Sequence, residues 1–243
     1  MLLVHSYESM GTFDGPGLRL VVFMQGCPFR CLYCANPDTI DPRGEAKETE
    51  PDHILKMAVD QKPFFGKRGG ITFSGGEPTF QAAGLIPLFE QLKAAGVHIC
   101  LDTNGAIVSE AVDRLHDLTD LVLLDVKQFN PEKHRELTGC TNSNTLETAR
   151  RLHAKGKDVW LRYVLVPGVS DDAADIEALG RALGQMENIR RVEILPYHTL
   201  GVHKYAAMGL DYKLSETPKN TPEQLESARR IMERHFTCPV IVN

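Results

Sequence analysis

The stretch LRLVVFMQGCPFRCLYC, residues 18–34, runs from a continuous apolar segment into a loop that holds Cys27, Cys31 and Cys34. The apolar part, 18–26, has too few polar side chains for a strand with one face in water, so we predict a strand covered on both faces. In proteins with parallel strands, the loops after the carboxyl ends of the strands build the active site. The stretch therefore predicts a buried parallel sheet and, at its edge, a functional loop with three thiols.

Five further apolar segments of the same kind follow along the chain. We predict strands over 69–76, 97–105, 121–128, 159–168 and 190–198. Between them, apolar residues recur at helical spacing, which predicts helices over 49–61, 85–96, 109–118, 144–156, 171–186 and 221–236. The last helix has a clear start, because Thr221 can cap it, Pro222 suits the first helical position and Gln224 completes a capping box.

Alternating strands and helices, with no linker rich in Gly, Pro or Ser, predict right-handed crossovers and a parallel sheet. We therefore expect an α/β fold with a single domain over 1–243, a partial (β/α)6 TIM-type barrel whose cysteine loop spans 26–36. A full eightfold barrel usually takes about 250 residues. Only PVIVN, 239–243, remains here as a further strand. An open doubly wound sheet is the structural alternative.

Composition narrows the functional classes. The 243 residues carry a formal net charge of -5, which argues against binding nucleic acid through a basic face. The first residues lack a charged region followed by a long apolar core, and no segment approaches the roughly 20 apolar residues of a membrane-spanning helix. We expect a cytoplasmic protein with neither nucleic acid nor membrane among its partners.

The six cysteines are better suited to metal binding, reactivity or burial than to disulfides in a reducing compartment. Cys100, Cys140 and Cys238 are isolated in the sequence, and we expect them to be buried core thiols. Structural zinc sites and ferredoxin clusters use four protein ligands. Three thiolates in one loop would leave one iron of a 4Fe-4S cluster open to a substrate. Zinc is the alternative that the ligand number disfavours.

Candidate functional residues lie within or just after each of the other five predicted strands. In chain order they are Gly75-Gly76-Glu77, Asp102-Thr103-Asn104, Asp125 with Lys127, Arg162, and Tyr197-His198. Charged groups inside apolar strands are costly unless they are paired or used, so we expect these groups to converge on one face. Taken singly, each has a structural explanation. Asp125 and Lys127 can form a partly buried ion pair, and Arg162 can pair with a carboxylate.

The cysteine loop, with Tyr33 directly before Cys34, resembles that of radical S-adenosylmethionine (SAM) enzymes. The resemblance extends over most of the chain to the glycyl-radical activases, in the branch that serves pyruvate formate-lyase. The similar segments are 11–39, SGGEP (74–78), CLDTNG (100–105), LLDVKQ (123–128), RYVLVPGVSDD (162–172) and 193–209. No cysteine lies between Cys34 and Gly75, where other activases carry a cysteine-rich insert, and this favours a single cluster.

The resemblance implies an oxidoreductase that reductively cleaves SAM at a 4Fe-4S cluster. It would then take a hydrogen atom from a glycine Cα and install a glycyl radical on pyruvate formate-lyase under anaerobic conditions. Flavodoxin or ferredoxin would donate the electron. Activation of another glycyl-radical enzyme, or a radical reaction on a small molecule, is the alternative. An iron-sulfur electron carrier or redox sensor is a remote one, because it would require four protein ligands.

The same resemblance implies residue roles. Cys27, Cys31 and Cys34 would hold the cluster. The positions that would contact SAM are Tyr33, Cys34, Ala35, Gly75, Gly76, Glu77, Asp102, Asp125, Val126, Lys127 and His198. Asp102, Thr103 and Asp125 would offer oxygen ligands to a monovalent cation, and Asp14, Gly15 and Arg162 would contact the substrate peptide. Close relatives often have His where this chain has Ala35, which leaves only a backbone contact at that position.

Overall fold

A computed structural model describes all 243 residues of the chain, which form nine β-strands and eight α-helices. The strands are β1 (Leu2–Gly11), β2 (Arg19–Met24), β3 (Lys47–Thr49), β4 (Gly70–Gly75), β5 (Ile99–Thr103), β6 (Leu121–Asp125), β7 (Val159–Leu165), β8 (Ile189–Pro196) and β9 (Val240–Val242). The helices are α1 (Pro51–Phe65), α2 (Ala82–Ala94), α3 (Glu110–Leu118), α4 (Pro131–Thr138), α5 (Ser143–Ala154), α6 (Ala173–Leu183), α7 (Val202–Ala207) and α8 (Pro222–Glu233). None of them combines the length and apolar character needed to cross a membrane.

The strands form one open sheet in the order β3-β1-β2-β4-β5-β6-β7-β8-β9. β2 pairs in parallel with β4, β4 with β5, β7 with β8, and β8 with β9. β1 runs antiparallel to both β2 and β3. The six predicted strands are β2 and β4 to β8, so the predicted α/β fold with a mostly parallel, unclosed sheet is confirmed.

The chain forms two compact units whose segments interleave along the sequence. The first unit comprises Met1–Pro28, Asp38–Thr103 and Ile107–Leu123. The second comprises Phe29–Pro37, Asn104–Ala106 and Leu124–Asn243. Because the chain passes repeatedly from one set of segments to the other, no linker divides the sequence into two consecutive domains.

In the first unit the two faces of the parallel strands differ in character. Alternate residues point to opposite faces of a strand. Leu20 and Val22 of β2 belong with Ile71 and Phe73 of β4 to an apolar core that also includes side chains of α1 and α2. The other set of positions includes the buried polar residue Thr72. One face of the sheet therefore packs on helices, and polar groups collect on the other.

Four elements were absent from the sequence prediction: β1, β3, α4 and α7. β1 has only two strongly buried apolar side chains before its last residue, Leu2 and Val4, so its pattern is weak. α4 lacks an apolar stripe, but its ends carry the usual signals. Asn130 caps it through bonds from two backbone amides, and Gly139 ends it with a φ of 81°. These end signals identify α4 better than hydrophobic periodicity does.

The predicted capping box at the start of α8 is confirmed. The Thr221 hydroxyl accepts from the Gln224 amide, and the Gln224 side chain accepts from the Thr221 amide at 2.8 Å. We expect Thr221→Ala to lower the free energy of unfolding by about 1 kcal/mol, because the amide it satisfies loses its partner. Chemical denaturation measures this effect. Thr221→Ser keeps the oxygen and is the control, and equal stability of the two variants would contradict a capping role.

Candidate functional site

Gly75, the last residue of β4, and Gly76, the residue after it, lie directly against the end of β2. A Cβ on Gly75 would lie 2.5 Å from the Met24 amide nitrogen, and one on Gly76 would lie 2.5 Å from the Gly26 carbonyl oxygen. Gly75 also has a φ of 101°, which side chains disfavour. The Gly76 amide donates to the Met24 carbonyl at 2.9 Å and the Glu77 amide donates to the Gly26 carbonyl at 2.8 Å. The start of the cysteine loop is therefore bonded to this segment.

The carboxylate of Glu77 is completely buried and fixed in place. Its Oε1 atom accepts from the Thr79 amide at 3.0 Å, the Thr79 hydroxyl at 2.6 Å and the Thr103 hydroxyl at 2.7 Å. Hydrogen bonds to a carboxylate offset much of the cost of burying its charge. Thr103, predicted as a cation ligand, thus binds Glu77 in this structure and connects the end of β5 to the segment after β4.

Asp102 lies beside the end of β4 as well. Its Oδ2 atom accepts from the Ser74 hydroxyl at 2.6 Å. The predicted convergence of polar groups is therefore confirmed for Glu77, Asp102 and Thr103 in the first unit.

The cysteine loop is held by backbone hydrogen bonds to other segments. In the first unit, the Gly26 amide donates to the Thr39 carbonyl at 2.8 Å and the Cys27 amide donates to the Ile40 carbonyl at 3.1 Å. The loop then continues in the second unit, where Cys31 and Cys34 lie. There the amides of Arg30 and Leu32 donate to the last carbonyls of α4, those of Thr138 and Leu137, at 2.7 and 3.0 Å. The sequence did not predict α4, and so it did not predict these hydrogen bonds between the cysteine loop and α4.

Cys27, Cys31 and Cys34 form no disulfide, and each is half-buried. Thiolates are soft ligands that suit iron-sulfur clusters and zinc. The chemistry of the donor set thus fits a cluster, although nowhere in the structure do three His, Cys, Asp or Glu side chains form a metal-binding group. Of the isolated cysteines, Cys100 is buried as predicted, whereas Cys140 and Cys238 are half-buried.

Asp125 and Lys127 form the partly buried ion pair that the sequence allowed. Lys127 Nζ lies 2.9 Å from Asp125 Oδ2, with the side chains 14% and 17% exposed. Burial is the largest single influence and lowers the pKa of Lys127, but Asp125, Tyr33 and Cys31 together raise this pKa well above its ordinary value. The Oδ1 atom of Asp125 is buried without a hydrogen-bond partner. This acceptor fits a ligand that brings a donor or a cation.

Tyr33 lies beside this ion pair in the second unit. Its ring centre is 5.6 Å from Lys127 Nζ, and the residue packs with Leu32 at the edge of an apolar cluster that contains Tyr197. Burial raises the pKa of Tyr33 well above its ordinary value, so the phenol is neutral. The aromatic residue before Cys34 therefore connects the cysteine loop to the charged end of β6.

Arg162 pairs with a carboxylate, as the structural explanation of this residue anticipated. Its Nε atom lies 3.0 Å from Glu193 Oε2, and the two side chains are 7% and 3% exposed. Arg191 adds a longer contact of 3.4 Å to the same glutamate. The carbonyl of Arg162 accepts from the Val126 amide at 3.0 Å, so it also holds the backbone next to Asp125.

His198 and the segment after it lie at the end of β8. His198 is exposed, and its Nδ1 atom is 3.4 Å from the Leu200 amide. Gly201 packs on the cysteine loop so closely that a Cβ would lie 2.4 Å from the Ala35 carbonyl oxygen. Lys204 of α7 donates to Asn36 Oδ1 at 2.9 Å. The sequence did not predict α7 either. This helix holds the last part of the cysteine loop through the hydrogen bond from Lys204 to Asn36.

Asp14 and Gly15 belong to a turn at the other end of β2. The Thr72 hydroxyl donates to the Asp14 carbonyl at 2.7 Å. Gly15 has a φ of 120°, and a Cβ there would lie 2.9 Å from Cys100 Sγ. Thr72 is the register partner of Val21 in β2 and of Cys100 in β5, so the turn reaches the middle of these strands.

Comparison with known proteins finds the Radical SAM superfamily model over residues 21–179. Pyruvate formate-lyase-activating enzyme of Staphylococcus epidermidis is 43% identical, over 98% of this chain and 97% of its own length. Pyruvate formate-lyase 1-activating enzyme of Escherichia coli is 45% identical, over 96% of this chain and 95% of its own.

Two solved structures share the fold at low identity. A domain of pyruvate-formate lyase-activating enzyme from Bacteroides vulgatus superposes with a TM-score of 0.61 at 22% identity, over 72% of this chain and 99% of that one. Streptococcus suis SuiB bound to S-adenosylmethionine gives a TM-score of 0.71 at 15% identity, over 93% of this chain and 50% of that one. At such identities the likeness shows the fold alone.

The buried pair of Arg162 and Glu193 predicts a stability effect. We expect Arg162→Met to lower the free energy of unfolding by about 3 kcal/mol, because it leaves the buried side chain of Glu193 without its main partner. The double variant Arg162→Met/Glu193→Leu should recover most of that loss. Arg150→Met, which breaks an exposed pair with Glu147, is the control and should cost less than about 1 kcal/mol. Chemical denaturation that finds Arg162→Met as stable as wild type would contradict the structural role.

Proposed function

This chain belongs to the radical SAM superfamily and, within it, to the pyruvate formate-lyase-activating enzymes, and we propose that it installs a glycyl radical on pyruvate formate-lyase under anaerobic conditions. It is an oxidoreductase that uses a 4Fe-4S cluster and SAM. The observation that carries the proposal is the match to named activases along nearly the whole chain, in a sequence whose loop holds three thiols.

Cys27, Cys31 and Cys34 are the proposed cluster ligands. Their partial exposure supports this role, as does the backbone bonding of the loop on both sides. Three thiolates would leave one iron of a cluster open to SAM. A cluster and SAM held here would supply the one-electron chemistry needed for hydrogen abstraction, with the electron coming from the external donor. The loop orients the reacting groups and limits competing reactions.

In the first unit, Gly75, Gly76, Glu77 and Asp102 are the proposed contacts for the methionine part of SAM. Their support is the fixed position of the segment, since Glu77 is anchored by three donors on one oxygen. The buried carboxyl group of Glu77 and the neighbouring carbonyl groups offer acceptors for an ammonium group.

In the second unit, the proposed contacts are Tyr33, Cys34, Ala35, Asp125, Val126, Lys127 and His198. The raised pKa of Lys127 keeps it charged for a carboxylate, and His198 is exposed for contact with the nucleoside. The backbone of the three loop residues would meet adenine. We further propose that Asp102, Thr103 and Asp125 serve a monovalent cation, which the unpartnered Asp125 Oδ1 atom supports.

The protein substrate and the electron donor are also part of the proposal. Asp14, Gly15 and Arg162 would contact the glycine loop of pyruvate formate-lyase, Arg162 while it remains paired with Glu193. A glycine Cα has no side chain to block approach, which suits direct hydrogen abstraction. Flavodoxin or ferredoxin would supply the electron, and the cytoplasm is the proposed location.

The proposed activity has a direct test. After anaerobic cluster reconstitution and reduction, addition of SAM and pyruvate formate-lyase should yield deoxyadenosine, methionine and a glycyl radical visible by electron paramagnetic resonance. Absence of deoxyadenosine would contradict the SAM chemistry. Deoxyadenosine without a glycyl signal would contradict only the choice of partner.

The ligand assignment has a separate test. Each of Cys27→Ala, Cys31→Ala and Cys34→Ala should lower iron and sulfide content and abolish SAM cleavage, because the cluster would lose one of only three thiolates. Cys238→Ala is the matched control, since Cys238 is another half-buried thiol, and it should retain the cluster and full activity. Iron analysis and deoxyadenosine quantification measure the outcome. The reverse pattern would mean that other cysteines bind the cluster.

A further inference from the structure

An apolar groove of about 260 Å³ lies beside the turn that contains Asp14 and Gly15. Met10, Leu18, Phe64 and Phe65 supply most of its apolar lining, and all belong to the first unit. Met10 is 60% exposed and Phe64 is 65% exposed. Exposed aromatic and Met side chains grouped around a concave surface are typical of protein interaction sites. None of these residues takes part in the site described above.

The backbone at Met10 supports a role for this groove outside stability. Met10 is the only residue other than glycine with a positive φ, 66°, a conformation that bulky side chains disfavour. The register of β1 against β2 also shifts between Glu8 and Gly11. Such bulges and strained residues re-aim side chains and concentrate at functional sites. Here the strained residue presents an apolar side chain to solvent, which stability alone does not explain.

The surroundings of the groove add charge and a further aromatic residue. Lys67 and Arg68 lie two and three residues after the end of α1, are exposed and form no ion pair. Gly17, in the turn, packs against Gly69, the residue that follows Arg68. A Cβ on Gly17 would lie 2.5 Å from the Gly69 amide nitrogen. Phe13, within the turn, is 76% exposed. The groove therefore fits a partner surface with apolar side chains next to acidic ones.

We propose that this groove, defined by Met10, Leu18, Phe64 and Phe65, docks the protein substrate, in addition to the contacts made by its glycine loop. The proposal rests on the proposed function, because it takes the substrate to be pyruvate formate-lyase. Leu18 follows the turn that is proposed to contact the glycine loop, so the two surfaces are continuous along the chain. Affinity for the whole partner would then come from a surface that the reacting glycine does not touch.

Two other occupants fit the groove less well. An electron donor must approach the cluster, but the groove lies at the start of β2 and the cysteine loop follows its end, a strand length of about 20 Å. A second copy of this chain in a two-fold contact would place the same patch on both sides of the interface. The unpaired Lys67 and Arg68 of both copies would then lie at one interface, an unfavourable accumulation of like charge.

The test compares whole pyruvate formate-lyase with a short peptide that carries its glycine loop. The enzyme is Met10→Gly/Phe64→Ser with a reconstituted cluster, and dithionite is the reductant. We expect KM for the whole protein to rise by about tenfold or more, with kcat little changed. Hydrogen abstraction from the peptide, and SAM cleavage without any partner, should equal those of wild type. Leu210→Ser, which alters an exposed apolar residue of the second unit, is the control and should leave every value unchanged.

A second variant separates docking from folding. Met10→Gly alone removes the side chain and relieves the positive φ, so it should raise KM for the whole protein without lowering thermal stability. A rise in KM that accompanies lost stability would indicate a structural effect and overturn the proposal.

Each remaining outcome also decides against the groove as a substrate dock. An unchanged KM would overturn the proposal directly. Loss of activity with flavodoxin but not with dithionite would assign the groove to the electron donor. A change from dimer to monomer in sedimentation would assign it to self-association, and equal loss with the peptide would place it in the glycine-loop site. If wild type yields no deoxyadenosine, the proposed function fails instead, and that result is distinct from all of these.

Discussion

The backbone at the end of β4 lies so close to the end of β2 that side chains are excluded between them. The clash distances at Gly75 and Gly76 involve backbone atoms of Met24 and Gly26, which cannot move aside as a flexible side chain would. The same approach creates two hydrogen bonds that satisfy the Met24 and Gly26 carbonyls. A glycine pair proposed to admit a ligand is therefore also required by the fold. Both the fold and the proposed ligand need glycine at these two positions, because the proposed ligand site lies where the ends of β2 and β4 meet.

This constraint determines how the three-thiol loop is built. Its first residues are tied to the carbonyls of Thr39 and Ile40, and its later residues to the last carbonyls of α4. Backbone bonds thus set the path of the loop, so the cysteine side chains are not needed to hold it in place. A loop fixed in this way keeps its thiols available as ligands and positions them from rigid elements, the arrangement that precise functional sites require. The backbone atoms of the loop hold it in place, and the thiols of its cysteines remain for ligand binding.

The sequence predicted the sheet well because its six central strands are continuously apolar, a pattern that few other structures produce. It predicted α4 poorly because that helix buries His134 and Thr138 instead of an apolar stripe. Within the site, the pairing of Asp125 with Lys127 was foreseeable from their spacing. The anchoring of Glu77 by Thr103 was not, since the two residues meet only when β4 and β5 pair. For Arg162 the sequence allowed both a pairing role and a substrate role, and the pairing became visible only with the position of Glu193.

The buried guanidinium of Arg19 holds the turn before β2, and its burial costs free energy of folding. Arg19 is completely buried and has no carboxylate within ion-pair distance, and burial lowers its pKa. Its donors go instead to Thr72, to carbonyls that include that of Pro16, and to His98. A charge without a counter-ion in the interior is expensive, so hydrophobic residues of similar volume would ordinarily be more favourable there. The guanidinium donates a hydrogen bond to the turn at the Pro16 carbonyl and another to the Thr72 hydroxyl. That hydroxyl donates to the Asp14 carbonyl, which also belongs to the turn. The turn is thus rigid where it adjoins the groove, and a rigid turn loses little conformational entropy when a partner binds.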